Sequence, residues 1–150
     1  MSQVRILGIG SPSGDDQAGW LTVDSLLAAG LDGIDIEKLD RPGACLISLL
    51  ENASRVILID AMQGDGPLGE ILRFDQKDWP GYCDGLSSHG FGVLAALTLA
   101  RELGSLPPRL DLYGIGIGPV LPGEAAGHDV QAAAQRLAAM IVSSLESEAA

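Results

Sequence analysis

Two stretches of this chain, Val4–Gly10 (VRILGIG) and Ser54–Ala61 (SRVILIDA), are nearly unbroken apolar runs rich in β-branched residues. A strand with one face in water alternates apolar and polar side chains, so a run without alternation reads as a strand covered on both faces. Sheets are covered on both faces when helices cross over between parallel strands. The remaining segments fit that demand. Gln17–Gly30 places Trp20, Val23, Leu26 and Leu27 at helical spacing and stops at Gly30, a natural helix end. Gly33–Asp40 alternates Ile34, Ile36 and Leu39 imperfectly and reads as a second strand, and Cys45–Asn52 as a short helix. Gly69–Asp75 is a shorter strand, His89–Gly104 a helix apolar on most sides, and Leu110–Gly118 a strand. In the last helix, His128–Ser147, a single stripe carries Val130, Ala133, Ala134, Leu137, Ile141 and Leu145. The order is βαβαβ, a short β, then αβα. It predicts one α/β domain over residues 1–150, a three-layer sandwich with a mainly parallel twisted sheet of about five strands flanked by helices.

Composition narrows the partners. Hydrophobic residues make up 47% of the chain and charged residues 19%, a globular balance. The net charge of −11 argues against nucleic acid and anionic membrane surfaces, which ask for a basic face. No run reaches the ~20 apolar residues of a membrane span, and the N-terminus lacks a signal-peptide pattern. Cys45 and Cys83 make neither a disulfide framework nor a CxxC site. The cytoplasm is the expected compartment.

In parallel α/β sheets, ligands bind beyond the carboxyl ends of the strands. The loop after the first strand, GIGSPSGDD, has the glycines of a phosphate cradle but neither the GxGxxG spacing nor a P-loop lysine. Asp15 and Asp16 also stand where phosphate charge would lie. A divalent metal suits the edge better: Asp16, Asp60 and His89 come from separate segments at one expected edge and form a hard-to-borderline ligand set. Each also has a plain structural role available. Asp16 can cap the helix starting near Gln17, Asp60 can end a strand in a turn, and His89 can cap the next helix. Both readings stand at this point. Other arrangements are weaker. Ser87 and Ser88 adjoin His89 without facing it, Cys45 and Cys83 lack a nucleophile motif, and His128 opens the last helix at the surface. Trp79 and Tyr82, in the long loop Gln76–Ser88, read as packing anchors or as a partner-binding lid.

Three motifs in order carry a family resemblance. ILGIGSPSGDDQAGW, VILIDAMQGDGPLGEI and SSHGFGVLAAL resemble the signatures of the hydrogenase maturation endopeptidases, and the likeness spans almost the whole chain. The resemblance implies that Asp16, Asp60 and His89 bind a metal and carry catalysis. It implies cleavage of the C-terminal extension from the large-subunit precursor of a [NiFe] hydrogenase after nickel insertion. The nickel then comes with the substrate, with no permanently bound organic cofactor. A substrate-selecting role falls on Asp40 and Gly43. Two positions depart from the family pattern: Ser11 replaces an Asn, and the segment Asp40–Leu46 lacks the family's Thr and holds Arg41-Pro42. Asp15, beside Asp16, reads as a supporting or capping acid. Two further functions compete: a non-catalytic assembly factor of the same fold that binds a hydrogenase subunit, and a small-molecule enzyme using a divalent cation at the acidic edge.

Overall fold

Strands β1 (Val4–Gly10), β2 (Ile34–Asp40), β3 (Arg55–Gln63), β4 (Ile71–Phe74) and β5 (Arg109–Ile117) form one sheet in the order β2-β1-β3-β5-β4. The computed structural model describes residues 3–11, 14–40, 45–63, 67–75, 88–118 and 126–149. β1 pairs parallel with β2 and β3, β3 pairs parallel with β5, and β4 lies antiparallel on β5. Helices α1 (Ala18–Ala28), α2 (Cys45–Leu50), α3 (Ser88–Glu102) and α4 (His128–Ala149) cover it. The expected α/β sandwich is the observed one.

The unbroken apolar runs are explained by the two cores. On one face Ile6, Ile57, Ile59 and Ile115 pack with Leu26 of α1 and with Val130, Ala133, Leu137 and Ile141 of α4. On the other face Leu7, Ile9, Leu58 and Met62 pack with Leu46 and Leu50 of α2 and with Val93, Leu97 and Ala100 of α3. Successive residues of a strand point to opposite faces, so both parities must be apolar when both faces are covered. The predicted stripe of the last helix is the buried one, with Leu145 packed at its margin.

Two boundaries differ from the sequence reading. The first helix does not start at Gln17. A short 3-10 helix, Gly14–Gln17, precedes it, and Gln17 takes the N-cap position of α1 without a side-chain capping bond. Gly14, at φ 51°, supplies the left-handed residue that lets the chain enter so tight a turn. The third strand does not end in Asp60. It continues to Gln63, paired with β5 as far as Ile117.

Opposite the carboxyl edge of the sheet lies a buried ionic cluster that sequence inspection did not single out. Arg55 is 5% exposed and Asp111 2%. The Arg55 Nε–H donates to Asp111 Oδ2 at 2.9 Å, and an Arg73 terminal N–H donates to Asp111 Oδ1 at 2.7 Å. Burial pushes the Asp111 carboxyl up, but the hydrogen bonds and charges of Arg73 and Arg55 outweigh it and hold the group below its ordinary range. The hydrogen bond to Asp111 in turn raises the pKa of Arg73. Burial, followed by the charge of Asp111, raises that of Tyr113. Among the described residues, no helix is long and apolar enough to cross a membrane.

Candidate functional site

The strand registers open a fork at the carboxyl edge. β1 and β3 pair from Val4↔Arg55 only to Gly8↔Ile59. Beyond that rung β1 stays with β2 as far as Gly10↔Asp40, and β3 stays with β5 as far as Gln63↔Ile117. The chain also reverses direction across the sheet here, since β2 lies on one side of β1 and β3 on the other. Such a topological switch point is where an open α/β sheet leaves a crevice.

Asp60 is the first residue of β3 past the fork. It has no exposed surface, and its Oδ1 accepts a hydrogen bond from the Ala61 N–H at 2.8 Å. The alternation of the strand sends it toward the same face as Leu58 and Met62, the side covered by α2 and α3. Its partner on β5 is Gly114, where an added Cβ would strike the Met62 sulfur. The absence of a side chain at Gly114 leaves that space to the Met62 side chain. Asp60 is therefore not a turn residue at a strand end. It is a carboxylate fixed inside the sheet, shut off from water, where a cation would be weakly screened.

The acidic turn is seated at the same fork by close backbone packing. Gly19 of α1 lies against both strands: a Cβ built there would sit 2.7 Å from the Ile59 carbonyl oxygen and 3.0 Å from the Ile9 nitrogen. Gly8 reciprocates, with a built Cβ 2.5 Å from the Gly19 carbonyl oxygen. The start of α1 thus rests directly on the last shared rung of β1 and β3. The 3-10 helix holding Asp15 and Asp16 is the turn before it, and it touches β3 itself. Asp16 is consequently not the N-cap of α1, the position that Gln17 occupies.

His89 is the second residue of α3. α3 leads through a short connection into the amino end of β5, so its own first turn belongs to the carboxyl edge of the sheet. Val93, one turn further on, is buried in the cluster that contains Ile9 and Met62. The segment bearing His89 thus enters on the face toward which Asp60 projects.

The topology puts the three candidate segments at one end of the sheet, with Asp60 and the acidic turn at the fork itself. The side chains of Asp15, Asp16 and His89 lie outside the described residues, as do Gly43, Trp79, Tyr82, Cys83 and Ser87 in full. Among the described residues, no group of three His, Cys, Asp or Glu side chains gathers as a metal site. Asp40 is the last residue of β2, paired with Gly10, and so flanks the crevice from the outer side. Next to it, the Trp20 indole N–H donates to the Leu39 carbonyl oxygen at 3.0 Å, a contact the sequence reading missed. Cys45 is exposed at the start of α2, and His128 opens α4.

Comparison with known proteins bears on the family and the fold. The family model described as HycI, hydrogenase maturation protease, matches residues 42–144. No curated protein sequence matches the chain. Among solved structures, the chain is similar to the hydrogenase maturating endopeptidase HybD from Escherichia coli, with a TM-score of 0.84 at 20% identity, covering 97% of this chain and 93% of that one. It is similar to the [NiFe] hydrogenase maturation protease HybD from Thermococcus kodakarensis, with a TM-score of 0.78 at 23% identity, covering 95% and 98%. The HycI maturation protease of Thermococcus kodakarensis KOD1 gives a TM-score of 0.77 at 21% identity, covering 97% and 93%. These likenesses share the fold of the sheet and its helices, and the family match extends from the segment before α2 into α4. The chain belongs to the hydrogenase maturation protease family.

Proposed function

We propose that this chain is a processing endopeptidase that removes the C-terminal extension of a [NiFe] hydrogenase large-subunit precursor after nickel insertion, reading the substrate's nickel through Asp16, Asp60 and His89. The observation that carries the reading is Asp60: a fully buried carboxylate at the fork of a sheet whose family model is a hydrogenase maturation protease. In such surroundings a carboxylate attracts a divalent cation with little screening by water. The Ala61 N–H holds one oxygen of that carboxylate in place. Two carboxylates and one imidazole leave coordination positions open for ligands that the precursor supplies. A metal held there, with the scissile peptide beside it, would polarise the peptide carbonyl or activate a water. The ligand set is complete only when precursor and nickel arrive together, which makes cleavage a check on metal insertion. The cytoplasm is the compartment proposed for this step.

Asp16→Asn, Asp60→Asn and His89→Ala test the assignment. Each is expected to slow cleavage of nickel-loaded precursor by more than about 100-fold, since even partners that only orient a metal ligand contribute 10- to 100-fold. The far-ultraviolet circular dichroism should stay that of the parent. The amide introduced by Asp60→Asn keeps an acceptor for the Ala61 N–H while removing the charge. Undiminished cleavage by both Asp16→Asn and His89→Ala would remove the endopeptidase assignment. Tight, metal-independent binding of the precursor without cleavage would favour an assembly factor.

A further inference from the structure

We infer that Trp20 is a positioning residue for precursor selection: it ties the carboxyl end of β2, and with it Asp40, to the helix that carries the acidic turn. The inference rests on the endopeptidase reading and on the selecting role that the family resemblance implies for Asp40.

Within the described sheet β2 is an edge strand, bonded to β1 alone. Its last rung is Gly10↔Asp40, and its outer half is exposed at Glu37, Lys38 and Asp40. An edge strand has half its lateral support, so its terminal residues are the first to fray. α1 supplies support from the sheet face at that end. The indole N–H of Trp20 bonds the Leu39 carbonyl oxygen at 3.0 Å, next to the terminal rung. Lys38 Nζ stands 6.0 Å from the Trp20 ring centroid and pairs with Asp24 Oδ1 at 2.6 Å, one helical turn further on. Lys38 and Asp24 are 39% and 53% exposed, and ion pairs that open to water contribute little. The partly buried indole bond is therefore a firmer tether than the Lys38–Asp24 pair.

Trp20 also stands one helical turn after Asp16 in the chain. Gly19, its neighbour, is the residue lodged against Ile9 and Ile59. A single short segment thus sets the acidic turn on the fork and pins the end of β2 beside it. The spacing between the proposed nickel ligand and the proposed selecting acid is fixed through Trp20. Loss of the indole donor should leave the nickel site and the chemistry in place and loosen the encounter with the precursor.

Trp20→Phe keeps an aromatic ring and deletes the donor. In steady-state cleavage of nickel-loaded precursor, KM is expected to rise about 3- to 10-fold, the range for one lost hydrogen bond, with kcat within about twofold of the parent. Asp40→Asn should raise KM in the same way. The double variant should be no worse than the poorer single one, because both changes act on one contact. Hydrogen exchange at the Leu39 and Asp40 amides should quicken in Trp20→Phe alone. A fall in kcat at unchanged KM, additive KM effects, or a lowered melting temperature with KM unmoved would overturn the inference. Should the parent not cleave the precursor, the endopeptidase reading fails separately. The same comparison is then made as precursor Kd by calorimetry, where an unchanged Kd in Trp20→Phe or in Asp40→Asn overturns the inference. Asp40→Asn alters an exposed side chain, so it serves as the test even if Trp20→Phe does not fold.

Discussion

Replacing Gly19 by alanine is expected to cost both stability and cleavage, although the change adds one methyl group at a helix start. In a helix, alanine is ordinarily the better residue by about 1 kcal/mol. Here the new Cβ would lie 2.7 Å from the Ile59 carbonyl oxygen and 3.0 Å from the Ile9 nitrogen. Those are backbone atoms of two adjoining core strands, not the ends of flexible side chains, so the helix has to move instead. Overpacking of this kind costs about 1–3 kcal/mol and occasionally more, which outweighs the propensity gain. α1 carries the acidic turn on its amino end, so its displacement moves Asp16 relative to Asp60. A shift of about 1 Å at a reacting centre can lower the rate about 100-fold. The expected result is a reduced denaturation midpoint and a kcat/KM loss far larger than the stability change alone would produce. An unchanged midpoint with unchanged cleavage would show that the start of α1 does not rest on the fork as described.

Asp111→Ala is expected to be the most destabilising single change away from the site. It takes from Arg55, 5% exposed, the Asp111 carboxylate to which its Nε–H donates. Breaking a buried ion pair by removing one member costs about 3–5 kcal/mol. For a chain of this size that is a fall in Tm of roughly 6–20 °C. The pH dependence follows from the same cluster. The Asp111 carboxyl titrates below its ordinary value in the folded protein. Its contribution is therefore fully present above the unfolded-state pKa of about 3.9 and is lost as pH falls through the lower folded value. Urea midpoints of the parent should hold from neutral pH to about 5 and drop below about 4. The gap between parent and Asp111→Ala should narrow over the same acid range. A gap that stays constant from about pH 7 to about pH 3 would mean that Asp111 is not stabilised as the ionised partner of the two arginines.

Much of the fold was legible because both faces of the sheet are covered. That condition makes VRILGIG and SRVILIDA unbroken and puts the buried stripe of α4 at helical spacing. The end of β3 was not legible. Asp60 looks like a terminator because a polar residue follows four apolar ones, yet the strand is extended by its neighbour β5 after β1 has turned away. Only the register shows that fork. The close contact of Gly19 was hidden for a similar reason. A glycine near a helix start has no signature that distinguishes a loose turn from a backbone pressed against two strands. The Arg55–Asp111–Arg73 cluster joins positions 56 and 38 residues apart, beyond any local pattern. At the candidate site, the order of the motifs pointed to Asp16, Asp60 and His89. The structure adds the buried setting of Asp60 and the seating of the acidic turn against β3.

The dependence of cleavage on substrate nickel is the most direct test of the proposed function. Purified chain is incubated with the large-subunit precursor in nickel-loaded and nickel-free forms, and the precursor mass is followed over time. Loss of the C-terminal extension from the loaded form alone, abolished by His89→Ala, is the expected result. Equal cleavage of both forms, or cleavage of neither at any enzyme concentration that binds the precursor, would contradict it.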